Sequence, residues 1–328
     1  MVAAPTTSPF SSSHQIGSLA SYPHYDATTH IGTHFPDSLS TQLSQILSSP
    51  DSDTLLKDLA KLVSHRGVVF FSNQDITVEQ QKELGERLGR LTGKPESSGL
   101  HKHPISEDVP ELGADISIIS SKSGYAKERA ATTRLASFGW HIDITFEKVP
   151  SDYAWASAYE AYDRLSPAYQ RFLEGLTAFH DGTKFLRFAE KSGQAIQKLR
   201  GSPENASTDL TAVHPVIRTN PVTGWKTLFV NRGFTTRINE LSYDESENVL
   251  NYLFKHVADN HDFQVRYKWN KNDVAIWDNR ATFHTATTDY GGEHREGNRV
   301  VSIGEKPFFD PASKSRREAL GASPGVIL

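Results

Sequence analysis

Trp140-His141-Ile142-Asp143-Ile144-Thr145-Phe146 is the stretch on which the reading of this chain turns. Ring or aliphatic residues alternate with polar ones, the period-2 pattern of a strand with one dry face and one working face. Residues i and i+2 of a strand point the same way, so His141 and Asp143 are expected to leave the backbone side by side. That placement suits two ligands of one metal ion.

A third ligand has to come from elsewhere in the chain. The candidate is His284, in Asn279-Arg280-Ala281-Thr282-Phe283-His284-Thr285-Ala286. Two imidazoles and one carboxylate with open coordination positions are the ligand set of non-haem Fe(II) oxygenases. The plainer reading of His141-x-Asp143 is a His-Asp pair bonded to each other at a strand end. The chain holds a second H-x-D, His24-Tyr25-Asp26, in a Ser/Thr-rich stretch without strand periodicity, and it is set aside.

The bulk properties narrow the classes. The 328 residues, 37% hydrophobic and 10% aromatic, suffice for a substantial core. A net charge of −4 argues against a nucleic-acid surface. No run of apolar residues is long enough to span a membrane. The start, Met1-Val2-Ala3-Ala4-Pro5, lacks a basic region and an apolar core, so no secretory signal is expected. With zero cysteines there are no disulfides and no thiolate metal sites, which fits a cytoplasmic protein. Histidine, at 14 copies, is the conspicuous polar resource.

Residues 1–33 are expected to be a flexible tail, 34–310 one domain, and 311–328 an irregular C-terminal tail. A helix from Asp51 or Asp53 would carry Leu55, Leu56, Leu59, Leu62 and Val63 inward. Arg66 to Phe71 reads as a buried strand. Thr77 with Gln80 makes a capping box for a helix striped by Leu84, Leu88 and Leu91. Leu100-His101-Lys102-His103-Pro104 could be a second metal site or a substrate contact, although an exposed loop is the favoured reading. Asp115 to Ile119 alternates like a strand, and Ser121 to Ala136 reads as a surface loop or a lid.

Helices are expected over Tyr159–Leu165 and over Ser166–Phe179, the second with Phe172, Leu173 and Leu176 inward. Strands are expected over 212–219, 227–231, 263–269, 274–277 and 299–304, with turns at 221–224 and 270–273. Ser242 and Glu245 form a capping box before a helix with Val249, Leu250, Leu253 and Phe254 inward. The fold class expected is α+β, mainly β, with a jelly-roll (double-stranded β-helix) core and flanking helices.

Arg295 and Arg299 follow His284, Arg299 in a strand-like run and Arg295 just before it, four residues earlier. A buried arginine is costly without an anion, so two beside a metal imply two anionic groups in the site. The guanidinium fork suits a carboxylate or sulfonate. The alternative is that both lie on the surface, paired with Glu293 and Glu296.

Taken together, Trp140-His141-x-Asp143-x-Thr145-Phe146, Trp277-Asp278-Asn279-Arg280, His284, Asp289-Tyr290, Arg295, Arg299 and Gly304-Glu305-Lys306-Pro307-Phe308 resemble the taurine catabolism dioxygenase (TauD/TfdA) family. Those enzymes depend on Fe(II) and 2-oxoglutarate, and the fungal sulfonate dioxygenases look closest. Leu100 to Pro104, His214 to Thr219 and Phe229 to Ile238 extend the resemblance, which runs from about Asp51 to Phe309. It implies that His141, Asp143 and His284 hold Fe(II) and that Arg295 binds the far carboxylate of 2-oxoglutarate. It also implies that Arg299 with His103 binds the substrate's anionic head, usually a sulfonate, and that Phe146 and Phe234 line the substrate pocket.

The reaction so implied takes O2 and 2-oxoglutarate and hydroxylates an alkylsulfonate at the carbon bearing the sulfonate. Its products are an aldehyde, sulfite, succinate and CO2. The partners implied are a small anionic substrate and neither nucleic acid nor membrane, with a homo-oligomer left open.

The chain departs from the family pattern in two places. Ala154 runs straight into Trp155, where the family normally has a strand and a turn ending in a Gly-Gly-Asp-Thr-like motif, so one core-adjacent strand is missing there. Ser106 and Ser137 replace larger polar groups, which points away from taurine itself. Three other readings are carried forward: the same scaffold acting on a carboxylate, sulfate ester or purine; a zinc hydrolase; and an inactive metal-binding variant lacking a core segment.

Overall fold

The computed structural model describes residues 8–105, 112–121, 135–148, 155–287, 294 and 296–323. Its strands in chain order are β1 (Tyr25–Asp26), β2 (Thr33–Phe35), β3 (Val68–Phe71), β4 (Ile116–Ser120), β5 (Ala156–Ser157), β6 (Thr177–Asp181) and β7 (Thr211–Pro215). They continue as β8 (Ile217–Thr219), β9 (Lys226–Leu228), β10 (Thr235–Ile238), β11 (Val274–Trp277), β12 (Thr282–Phe283) and β13 (Glu296–Val300). Strands β1-β2-β3-β11 form one sheet and β10-β6-β7 another, and β12-β5, β13-β4 and β8-β9 are two-stranded. Only the β2–β3 pair is parallel among these. Helices pack among the sheets, so the architecture is mixed α/β.

Two helices carry the first core. Ser52–Arg66 buries Leu55, Leu56, Leu59, Leu62 and Val63, and Gly67 ends it at φ +77°, a left-handed position that glycine adopts without strain. Val78–Leu91 starts at the expected capping box of Thr77 and Gln80 and buries Leu84 and Leu88, but leaves Leu91 at 40% exposure. Their inner faces meet Phe35, Val69 and Phe71. The second core lies under helix Tyr243–Asp259, which begins at the Ser242–Glu245 capping box. Leu250, Leu253 and Val257 pack there with Ile142, Phe229 and Phe283.

Several expectations are corrected. The described part of the N-terminal tail, from residue 8 onward, is packed: Leu19 and Ile31 are fully buried. Arg66, 1% exposed, pins this stretch by donating to the carbonyls of Phe10, Thr28, Thr29 and Gly32. One guanidinium thus satisfies backbone that low hydrophobicity would have left loose. The C-terminal tail likewise contains helix Arg316–Ala319, with Arg316 buried.

The helix expected over 166–179 stops at Leu173, leaves Phe172 42% exposed, and gives way to β6. Residues 263–269 make one isolated bridge, Ala156 to Gln264, instead of a strand. Tyr267 stacks on Phe70 there, so ring packing replaces ladder bonds. Most of the 121–136 lid, together with Asp289-Tyr290, lies outside the described residues. Among the described residues no helix is long and apolar enough to cross a membrane.

Candidate metal centre and anion site

The expected metal strand is not a strand. Residues 136–139 form a single 3-10 turn, His141 makes one bridge, and residues 143–146 form a turn in which Ile144 has φ +47°. A β-branched residue with positive φ is strained, and the surroundings must hold it.

They do so through side chains. The Asn279 amide accepts from the Asp143 N–H at 3.0 Å and donates to the Asp143 carbonyl at 3.0 Å. The Thr145 hydroxyl accepts from Asn231 at 3.0 Å and shares a hydrogen bond with His180 Nδ1 at 2.9 Å. His214 Nε2–H is shared between the carbonyls of Thr145 and Glu147, both at 2.9 Å. Glu147 is buried against Arg200. Burial holds the His180 imidazole far below its ordinary range, so it stays neutral among these partners.

The three proposed ligands meet. His141 and His284 exchange backbone hydrogen bonds at 2.9 and 2.8 Å, and their ring centroids are 4.0 Å apart. His141 Nε2 lies 3.5 Å from Asp143 Oδ1, and His284 Nε2 lies 3.9 Å from Asp143 Oδ2. One ligand atom from each residue falls within 4.8 Å of the others, and no second such His/Asp/Glu group occurs among the described residues. His141 Nδ1 points at the Gly139 carbonyl, 2.7 Å away, which fixes the N–H on that side, so that Nε2 carries the lone pair a cation would take. The donor set therefore fits an Fe(II)-type ion.

Arg299 stands beside it. Strand β13 pairs with β4 so that Arg299 lies opposite Ser117, and its Nη1 donates to Asp143 Oδ2 at 2.7 Å. Its Nε is buried and has no partner among the described residues. The surface pairing with Glu296 is thus overturned for Arg299. Burial raises the Asp143 carboxyl, but Arg299, and after it His284 and His141, draw it well below the usual carboxylate range. Arg295 lies outside the described residues.

The exposed-loop reading of the first histidine pair is corrected. His101 is 2% exposed, 3.6 Å from Glu147, and its N–H donates to the Val301 carbonyl. His103 is partly buried and packs edge-on to Phe185 at 4.8 Å. Burial, then Arg299, holds His103 well below its ordinary range, so it faces the site as a neutral imidazole. The Ile105 N–H donates to its Nδ1 at 3.4 Å, leaving Nε2 to carry the proton. Phe146 and Phe234 pack with ring centroids 5.0 Å apart, tilted by 58°, in the same cluster as Ile144 and Phe185, and the Phe234 ring is 6.2 Å from that of His141.

The sequence reading missed the residues that hold this turn: Asn279, Asn231, His180 and the Glu147–Arg200 pair. Two of them carried a signal: Asn279 by its place in Trp277-Asp278-Asn279-Arg280, five residues before His284, and Asn231 by its place in the Phe229 to Ile238 run.

This geometry has close relatives. The profile of the family "Taurine catabolism dioxygenase TauD, TfdA family" matches residues 33–155 and 152–301. The chain belongs to the TauD/TfdA dioxygenase family. It is 44% identical over 334 residues to the alpha-ketoglutarate-dependent dioxygenase btcD of Neocamarosporium betae, covering 92% of this chain and 96% of that protein. It is 32% identical over 293 residues to an alpha-ketoglutarate-dependent sulfonate dioxygenase of Saccharomyces cerevisiae, covering 83% of this chain and 66% of that one. A taurine dioxygenase crystal structure from Burkholderia xenovorans superposes with TM-score 0.65 at 25% identity, over 89% of this chain and 92% of that one. As a TauD/TfdA enzyme the chain draws on Fe(II), 2-oxoglutarate and O2.

Proposed function

We propose that this TauD/TfdA dioxygenase hydroxylates a small oxyanionic substrate, an alkylsulfonate above others, at the carbon bearing the anion. The products are then an aldehyde and sulfite, together with succinate and CO2. His141, Asp143 and His284 are assigned to Fe(II), Arg295 to the far carboxylate of 2-oxoglutarate, and Arg299 with His103 to the substrate anion. Phe146 and Phe234 flank the substrate's apolar part.

The observation that carries this reading is the half-buried guanidinium of Arg299. One of its nitrogens is tied to Asp143 at 2.7 Å, and its buried Nε faces no partner among the described residues. A buried donor left unmade costs about 1–3 kcal/mol, which an incoming oxyanion would relieve. His103, neutral and protonated at Nε2, can add one further donor without adding charge. When bound, the iron and its cosubstrate supply the oxidising equivalent that places a hydroxyl on the substrate carbon. The chain's part is placement: Arg299 fixes the anion, and the aromatic wall of Phe146 and Phe234 turns the adjoining C–H toward the metal.

We also propose that the short sheets are parts of a jelly roll from which one segment is absent beside Trp155. The family match in two stretches that meet at residues 152–155 supports this. Anaerobic mixing with Fe(II) and 2-oxoglutarate, followed by O2 and a panel of alkylsulfonates, tests the function. Matched yields of sulfite and succinate are expected. Succinate formed with carboxylates or sulfate esters but never with sulfonates would assign a different oxyanion.

A further inference from the structure

Beside the metal centre lies a cavity of about 200 Å3, walled in part by Lys184, Arg187, Arg232, Gly233 and Phe234. Two of these residues also belong to the metal site. A Cβ on Gly233 would stand 2.9 Å from His141 Cβ, and the Phe234 ring packs 6.2 Å from the His141 ring.

The wall carries three cations and one acid, Asp181, in a chain whose net charge is −4. Asp181 Oδ1 is already engaged by the N–H and the hydroxyl of Thr183. Arg187 and Arg232 are both exposed, and neither has an acidic partner among the described residues. Arg232 lies over the rings of Phe138 and Phe254, at 4.9 and 5.1 Å, which orient it without neutralising it. Lys184 donates to the Gly233 carbonyl at 2.8 Å and sits 3.8 Å over the Phe234 ring. Concentrated positive charge of this kind, held in place by aromatic rings, raises the local concentration of anions. The volume is below the roughly 300–1,000 Å3 of a complete ligand pocket, so it suits one end of a molecule and not the whole.

We propose that this cavity is a second oxyanion subsite, and that the substrate is an α,ω-dianion whose far carboxylate or sulfonate is held by Arg187 and Arg232. The inference rests on the proposed function, in which Arg299 holds the near anion. The apolar wall of Phe234 and Phe185 then runs beside the carbon chain that joins the two charges. Guanidinium groups, with their paired donors, favour planar or trigonal oxyanions over halides or neutral polar groups.

The test compares alkanesulfonates of increasing length with their ω-carboxylate analogues. Dissociation constants are taken by calorimetry on the Fe(II)- and 2-oxoglutarate-loaded protein without O2, and kcat/KM by sulfite release. At one chain length the ω-carboxylate should bind at least about tenfold more tightly than the plain sulfonate. The Arg187→Gln/Arg232→Gln double variant should bring that ratio close to one. Arg187→Gln alone, at an exposed position, should lower it in part and guards against misfolding of the double variant. No preference for the dianion at any length, or a preference that survives in the double variant, overturns this inference while leaving the proposed function standing. Failure to bind either kind of sulfonate overturns both.

Discussion

The side-chain amide of Asn279 meets the backbone of Asp143 edge to edge, with two hydrogen bonds of 3.0 Å. It supplies the two bonds that a neighbouring strand would give, at a point where the chain turns and no strand can pair. Both residues are buried, so both bonds are shielded from water. Because Asn279 sits on the segment leading to His284, the amide also ties the two arms of the metal centre together.

Asn279→Ala therefore leaves a buried N–H and a buried carbonyl without partners, at about 1–3 kcal/mol each. Losing a partner that holds a metal-binding residue in place also weakens metal affinity by about 10- to 100-fold. Urea unfolding and Fe(II) titration together check this. A variant that binds metal like the parent would remove Asn279 from the positioning role.

Arg299→Ala should raise the apparent substrate constant. The charge-assisted bonds lost are worth about 1.5–3 kcal/mol, or roughly ten- to 150-fold in binding. Consumption of 2-oxoglutarate uncoupled from substrate should persist, because its far carboxylate is assigned to Arg295. Steady-state assays that follow succinate and sulfite in parallel separate the two effects, and an unchanged substrate constant would exclude Arg299 from that contact.

Gly233→Ala should act on the metal centre through space. The new Cβ would stand 2.9 Å from His141 Cβ and 3.1 Å from Asn231 Oδ1, closer than packed atoms ordinarily approach. Weaker metal binding is expected, with a stability loss of about 1–3 kcal/mol. Equal metal affinity in variant and parent would show that this contact relaxes freely.

Acid should destabilise the protein through histidines outside the His141–Asp143–His284 group. Burial pushes His30 down to about 4, partly opposed by Glu160, and it pushes His65 down to about 4 as well. Both are depressed below the ordinary value of 6.5, so the unfolded chain binds more protons than the folded one. Stability is full above about 6.5 and falls as pH drops toward about 4. Each histidine contributes a slope approaching about 1.4 kcal/mol per pH unit in that window. His65→Gln should remove one proton's worth of slope, read from urea unfolding at a series of pH values. A parallel curve would mean that His65 titrates alike in both states.

What the sequence made legible was what is local. Capping boxes at Thr77–Gln80 and Ser242–Glu245 announce helix starts because both partners lie within one turn. The leucine stripe of residues 55–63 announces a buried face because burial there repeats with the helix. The meeting of His141, Asp143 and His284 was legible for a different reason, since chemistry restricts which side chains can share one ion. Their backbone was not: alternation at 140–146 matched a strand, yet the turn is set by Asn279, Asn231 and His214, from 69 to 136 residues away along the chain. The packed N-terminal stretch was hidden for the same reason, because Arg66 holds its carbonyls from a helix that comes later in the sequence.

The central claim is that His141, Asp143 and His284 hold one iron. Anaerobic Fe(II) titration of the parent and of His141→Ala, Asp143→Ala and His284→Ala, followed by calorimetry, tests it directly, with circular dichroism to verify folding. The account predicts one equivalent bound by the parent and at least a hundredfold weaker binding in each folded variant. Retention of the parent's affinity by any one of the three would contradict it.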